Sequence, residues 1–192
     1  MRLFVALDFP DSIRQSLREL IARLKPEFPN AKWVRPEAMH VTLKFIGEVE
    51  AGKLEPIGAA LSSVHCEQPI DLRFRGLGFF PNERRPRVLW CGLEASTDLA
   101  ALAASIEQAL VPLGIAAESR DFVPHLTLAR FDREGCSRHQ VEKLVRAVEQ
   151  LKSYDAGETR QTEFYLIESI LKPSGAEYKR RRALAIVKEP AK

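Results

Sequence analysis

Cysteine is scarce in this chain: Cys66, Cys91 and Cys136 are odd in number and far apart. Such spacing excludes a disulfide framework and the paired ligands of a structural zinc site, and it fits a reducing compartment, with the cytoplasm as the expected location. Long apolar runs are missing as well. The opening Leu3-Phe4-Val5-Ala6-Leu7 is cut by Asp8, far short of the roughly 20 residues that cross a bilayer. No small-residue cleavage site follows, so the segment reads as a first strand and no membrane partner is expected. Charge of one sign is not in excess either, since 29 basic residues face 26 acidic ones for a net +3. The chain as a whole is therefore not a polyanion binder on charge alone. Linkers and low-complexity tracts are absent, which leaves one compact body with strands and helices interleaved.

What is present suffices for a core: 192 residues, 45% hydrophobic and 29% charged, enough for one domain or two closely packed lobes. Local basic clusters stand out more than the net charge. Arg84, Arg85 and Arg87 form one, and Lys179 to Arg182 another, each close to a strand-like segment. Either can meet phosphate, or be a solvated face or a protected sheet edge.

Hydrophobic periodicity predicts the elements. Leu3 to Phe9 alternates as a strand, and Asp11 or Ser12 can cap a helix whose apolar face is Ile13, Leu17, Leu20, Ile21 and Leu24. Pro26 and Pro29 end it. Lys32 to Val34 and His40 to Ile46 read as extended, and a helix is expected from about Leu54 to Val64. Ile70 to Phe80 and Arg87 to Leu93 form a predicted hairpin around Pro81-Asn82-Glu83. After Ser96 or Thr97, a helix presents Leu99, Leu102, Ala103, Ile106 and Leu110 and stops at Pro112 and Gly114. His125 to Phe131 is extended, Ser137 to Leu151 helical, and Glu163 to Leu171 and Arg182 to Val187 are strands separated by the turn Lys172-Pro173-Ser174-Gly175.

Shifting the chain on itself by 125 − 40 = 85 residues exposes an internal repeat. Leu3 to Phe9 falls on Val88 to Glu94, the first helix on that of Leu99 to Leu110, and Arg35, His40, Thr42 and Leu43 fall on Arg120, His125, Thr127 and Leu128. The expected fold is α+β: a duplicated two-lobe architecture over residues 1–192, with repeat units at about 3–47 and 88–131. Antiparallel sheets would line a central cleft with helices outside, and the last helix and hairpin would complete the lobes by exchange.

Residues two apart on a strand share a face, so His40 projects with Thr42, and His125 with Thr127. Imidazole exchanges a proton near neutral pH and a threonine hydroxyl donates to a phosphate oxygen. Two such sites facing each other suit in-line displacement at phosphorus, one histidine taking a proton from water while the other protonates the leaving oxygen. No metal or cofactor is needed for that. A lone His-x-Thr is more often an ordinary half-buried strand position. Its recurrence with the same leucine, upstream arginine and element plan is not what packing alone preserves. His65 and His139 lack the following threonine and read as surface residues. Trp33 and Trp90 read as core, and Arg35 and Arg120 either steer a backbone or bond a neighbouring turn.

The segments His40-Val41-Thr42-Leu43-Lys44-Phe45-Ile46-Gly47 and Pro124-His125-Leu126-Thr127-Leu128-Ala129-Arg130, with Leu3 to Leu7 and Arg85-Pro86-Arg87-Val88-Leu89-Trp90, resemble the two-histidine phosphoesterases, specifically the RNA 2',3'-cyclic phosphodiesterase family, also called 2'-5' RNA ligases. The resemblance implies a hydrolase that opens a terminal 2',3'-cyclic phosphate on RNA to a 2'-phosphate, with reversible, ATP-independent 2',5' joining of transfer-RNA halves. It implies His40 as proton donor, His125 as proton acceptor, Thr42 and Thr127 as phosphate clamps, and Phe45 and Arg130 as the planes that hold the terminal base. Pseudo-symmetry leaves the acid and base labels exchangeable. Phe45 lies five residues beyond His40, an odd spacing that needs a bulge, a twist or a strand end to bring both to one face. A non-catalytic RNA-binding or nucleotide-sensing module, or a phosphodiesterase for 2',5'-oligoadenylate or small cyclic nucleotides, stands as the alternative. A monomer is expected.

Overall fold

The computed structural model describes residues 1–131, 138–173 and 175–187. Thirteen elements organise them: β1 (Arg2–Leu7), α1 (Asp11–Leu24), β2 (Lys32–Trp33), β3 (Val41–Glu48), α2 (Leu54–Leu61), β4 (Ile70–Phe80), β5 (Val88–Ala95), α3 (Thr97–Leu110), β6 (His125–Arg130), α4 (Arg138–Glu149), β7 (Asp155–Gln161), β8 (Glu163–Lys172) and β9 (Gly175–Ala185). The predicted apolar faces of α1 and α3 are the buried ones, residue for residue. Pro10, not Asp11 or Ser12, occupies the cap position of α1, and Asp11 lies in the first turn, where its charge suits the helix dipole. Cys136, Ser137 and Ser174 lie outside the described residues.

The strands form two sheets, ordered β3-β1-β8-β9 and β2-β6-β5-β4-β7. Position by position, β3-β1-β8 in the first corresponds to β6-β5-β4 in the second, all antiparallel. The two halves exchange strands: β4 follows the first half in sequence yet pairs with β5, while β8 follows the second half and pairs with β1. The short β2 also crosses over, Lys32 and Trp33 pairing with Arg130 and Ala129 at the edge of β6. A continuous core joins both halves, with Leu3, Val5 and Leu7 of β1, Leu89 and Cys91 of β5, and the buried faces of α1 and α3. Lys44 on β3, buried, donates to Glu107 of α3 at 2.9 Å and to the Ala116 carbonyl at 2.7 Å, which ties the two halves together.

Three departures from the expected layout have physical causes. β7 was not expected, because Asp-Ala-Gly-Glu-Thr-Arg-Gln is a polar edge strand with little apolar alternation to reveal it. β9 begins at Gly175 rather than Arg182, so the basic run lies inside the strand, held by its ladder to β8. The repeat also changes phase within the strand pair. Phe4, Val5 and Ala6 face Phe45, Lys44 and Thr42, while Val88, Leu89 and Trp90 face Arg130, Ala129 and Thr127. The equivalent of Val5 is therefore Leu89, a shift of 89 − 5 = 84 and not 85, and a one-residue slip of that kind inverts which side chains face the core.

Candidate active site

Both histidine segments carry the same bulge. Opposite Val5 and Ala6 stand Lys44 and Thr42, with Leu43 as the extra residue; opposite Leu89 and Trp90 stand Ala129 and Thr127, with Leu128 extra. The burial sequence from Val41 to Phe45 is repeated from Leu126 to Arg130: buried, half-buried, buried, buried, exposed. Two consecutive residues turn inward at the bulge, so the alternation resumes out of phase and Phe45 emerges on the side of Thr42, as Arg130 does on the side of Thr127. The odd spacing of Phe45 is resolved in this way. Phe45 is 59% exposed, and the Phe4 ring meets both it, at 6.3 Å between centroids, and His40, at 4.5 Å.

His40 stacks on Phe4 and meets the edge of Tyr178 at 4.9 Å. Its imidazole is held to about 4, below the usual 6.5, first by burial and then by the charge of Arg14, while a hydrogen bond to the Ala38 carbonyl acts the other way. Behind it, Arg14 of α1 donates to the carbonyls of Pro36, at 2.6 Å, and Met39, at 3.1 Å, fixing the loop that enters β3. Asp8 accepts from both Arg14 and Arg180. These groups, with Glu37 and Tyr178, line a cavity of about 560 Å³ that reaches His40.

His125 meets the Phe80 ring edge-on at 4.8 Å and donates from Nδ1 to the Val123 carbonyl at 2.8 Å. A carbonyl only accepts, so the neutral ring keeps its proton on Nδ1 and leaves the Nε2 lone pair free. Its pKa is also lowered, first by burial and then by Arg130. Each histidine thus feels the carbonyl two residues before it, as a 2.8 Å hydrogen bond at His125, and each feels one guanidinium. Strands β3 and β6 also touch each other.

Other sequence-level candidates sort clearly. In the second basic cluster, Arg180 pairs with Asp8, Arg181 with Glu168 at 2.7 Å and Arg182 with Glu55 at 2.6 Å, so three of its four charges are internally balanced. Trp33 packs on the core and donates to the Phe28 carbonyl. Trp90, in contrast, is not a core residue: it lies over Gly78, where a Cβ would come within 2.3 Å of its ring, and against Phe80 at 5.3 Å. The 84-residue phase explains this, since Trp90 shares the side of Thr127. Arg35 donates to the Ala176 carbonyl at 3.3 Å and Arg120 pairs with Glu118 at 3.2 Å. His65 lies in a loop and His139 at an exposed position of α4. Phe4, Tyr178, Arg14 and Phe80 were missed, because only the folded sheet register places them beside the histidines. A larger hollow of about 630 Å³, lined by Arg73, Glu94 and Arg160 among others, contains no histidine, and its arginines pair with Asp155 and Asp71. Among the described residues, no group of three or more histidine, cysteine or carboxylate side chains is placed to hold a metal, and no helix is long and apolar enough to cross a membrane.

A family model for LigT-like phosphoesterases matches two consecutive stretches, residues 7–90 and 93–178. The chain is 40% identical over 179 residues, 93% of its length and 97% of the relative's, to the RNA 2',3'-cyclic phosphodiesterase of Archaeoglobus fulgidus. It is 34% identical to that of Methanothermobacter thermautotrophicus, covering 93% and 95% of the two chains. Among solved structures, TT0787 of Thermus thermophilus superposes with a TM-score of 0.80 at 31% identity, covering 99% of this chain and 100% of the other. LigT of E. coli complexed with 3'-AMP gives 0.77 at 26%, covering 97% and 98%. The two-lobe fold and the family match are those of a phosphoester hydrolase. The chain belongs to the LigT-like phosphoesterase family.

Proposed function

We propose that this enzyme hydrolyses the 2',3'-cyclic phosphate at the end of an RNA strand to a 2'-phosphate, by proton transfer between His40, His125 and the substrate without a metal ion. The observation that carries the reading is the duplication of detail: two His-x-Thr segments with the same bulge and the same burial sequence, on strands that touch. Relatives named as RNA 2',3'-cyclic phosphodiesterases support the substrate, and the 3'-AMP complex of E. coli LigT supports a nucleotide in the cleft.

In this scheme His125 Nε2 takes a proton from water, the water oxygen bonds to phosphorus, the bond from phosphorus to O3' breaks, and His40 delivers a proton to O3'. The product carries a 3'-hydroxyl and a 2'-phosphate. Thr42 and Thr127 donate to the non-bridging oxygens, while Phe45 and Arg130 hold the terminal base. Burial and Arg14 keep His40 neutral in the empty cleft, and the bound phosphate's negative charge raises its proton affinity where the acid is needed. A 5'-hydroxyl attacking in place of water forms a 2',5' bond with no ATP, and transfer-RNA halves are the ends proposed for that reaction. The protein acts as a monomer in the cytoplasm.

The test is incubation of the purified protein with chelator and a cyclic-ended RNA. Accumulation of a 2'-phosphate end at an undiminished rate is expected. A 3'-phosphate product, or loss of activity restored by a divalent ion, contradicts the scheme. A substrate with sulfur in place of O3' needs little acid catalysis, so it should restore turnover to His40→Ala and not to His125→Ala.

A further inference from the structure

The two basic clusters differ in one respect that the proposed reaction does not use. The run on β9 is largely balanced by Asp8, Glu168 and Glu55, whereas Arg84 and Arg85, both exposed, have no carboxylate partner among the described residues. They sit on the turn between β4 and β5. Asn82 Oδ1 accepts from the backbone amides of Arg84 and Arg85 at 3.0 and 3.1 Å, and the Arg87 amide closes the hairpin on the Phe80 carbonyl at 2.7 Å. The turn has one carboxylate, Glu83, whose nearby opposite charge is Lys152.

This turn is anchored at the reacting centre. Phe80, the last residue of β4, touches the His125 ring; Val88, the first of β5, is paired with Arg130, and the Phe131 amide bonds the Arg87 carbonyl at 2.9 Å. Arg84 follows Phe80 by four positions, a reach of at most about 14 Å. Solvated guanidiniums with no carboxylate partner among the described residues, on a fixed turn next to a nucleotide cleft, suit the phosphates of a flexible polyanion, each contact releasing counterions.

We propose that Arg84 and Arg85 hold the phosphodiester backbone of the RNA upstream of its cyclic end, so that the enzyme's substrate class is single-stranded oligoribonucleotides in preference to free cyclic mononucleotides. This rests on the phosphodiesterase reading above. The track lies on the His125 side alone, which makes recognition of the strand asymmetric although the catalytic strands are duplicated.

The test compares a 2',3'-cyclic mononucleotide with a single-stranded oligoribonucleotide ending in the same group, for the wild-type chain and Arg84→Ala/Arg85→Ala. The double variant is expected to lose roughly tenfold in kcat/KM on the oligonucleotide only, and its logarithmic salt slope should shrink by about 1.4, the value for two phosphates on a single strand. A charge-reversed Arg84→Glu/Arg85→Glu pair should lose more, again on the oligonucleotide alone. Equal losses on both substrates, or none on either, overturn the track while leaving the phosphodiesterase reading intact. A wild-type chain that turns over neither substrate overturns the reading itself, and the track with it.

Discussion

The half-sites around His40 and His125 share a strand and a bulge but differ in what stands behind the ring. In the first half, Arg14 grips the entry loop and is balanced by Asp8, which also accepts from Arg180. In the second half those positions are empty of charge. Four of the five buried positions of α1 fall on buried positions of α3 at a shift of 99 − 13 = 86, which sets Ala100 where Arg14 stands, and the strand shift of 84 sets Gly92 where Asp8 stands. A Cβ on Gly92 would come within 2.5 Å of the Arg75 carbonyl, so that position has been given to close backbone packing. Duplication thus preserved the groups proposed to touch phosphate and let their supports diverge. At both rings burial is the first cause of the lowered proton affinity, with one guanidinium adding to it, Arg14 at His40 and Arg130 at His125.

The comparison breaks most simply at the rings. Replacing His40 or His125 by alanine should each lower kcat by about 10²- to 10⁴-fold, with the double variant little worse than either, because the two act on one reaction. Additive losses in a steady-state assay would mean two independent sites.

Arg14 sharpens the comparison, since it has no counterpart. Arg14→Ala frees the carbonyls of Pro36 and Met39 and should cost about 10- to 100-fold in kcat with little change in KM, as expected when a catalytic group is misplaced rather than removed. Losing the guanidinium should also move the His40 titration upward, toward 6.5, in an NMR titration. Arg14→Lys keeps a charge but not the fork that reaches two carbonyls, so it should hold the titration near the wild-type position while restoring only part of the rate. The same ring gives stability a pH dependence. The folded-state value of His40, about 4, lies below the ordinary 6.5, so protonation favours the unfolded chain. The contribution is complete above pH 6.5 and falls away as pH drops toward 4, by no more than about 3 kcal/mol. Denaturant melts of His40→Asn should show a shallower acid limb.

Smaller effects belong to the exposed planes. Phe45→Ala should leave stability within about 0.5 kcal/mol, because the ring is 59% exposed. KM on a cyclic-ended RNA should rise about 5- to 100-fold, the range for one lost stacking contact. Arg130→Ala should raise KM similarly and also lift the His125 titration, since that guanidinium depresses it. Equal KM values for wild type and Phe45→Ala would remove the base-stacking role.

Much of this layout was legible in the sequence because apolar periodicity is a local signal. The buried positions of α1 and α3 and the β4–β5 hairpin follow from it directly. The paired histidines were legible for a different reason, their recurrence at one spacing. The phase change between β1 and β5 was not, because a bulge at Leu43 or Leu128 leaves no mark in composition, and it misdirected the reading of Trp90. β7 and the early start of β9 were hidden by their polarity. The grip of Arg14 on Pro36 and Met39 was also hidden, since it spans 22 and 25 residues and involves main-chain acceptors that every sequence possesses.

The most direct measurement is a histidine-selective NMR titration of the protein with and without a nucleoside 2'-phosphate. If one phosphate sits between the two rings, ligand should shift the Nε2 signals of both His40 and His125 at a single stoichiometric equivalence and raise both pKa values. A response from one ring only, or two responses with separate affinities, would contradict a shared phosphate.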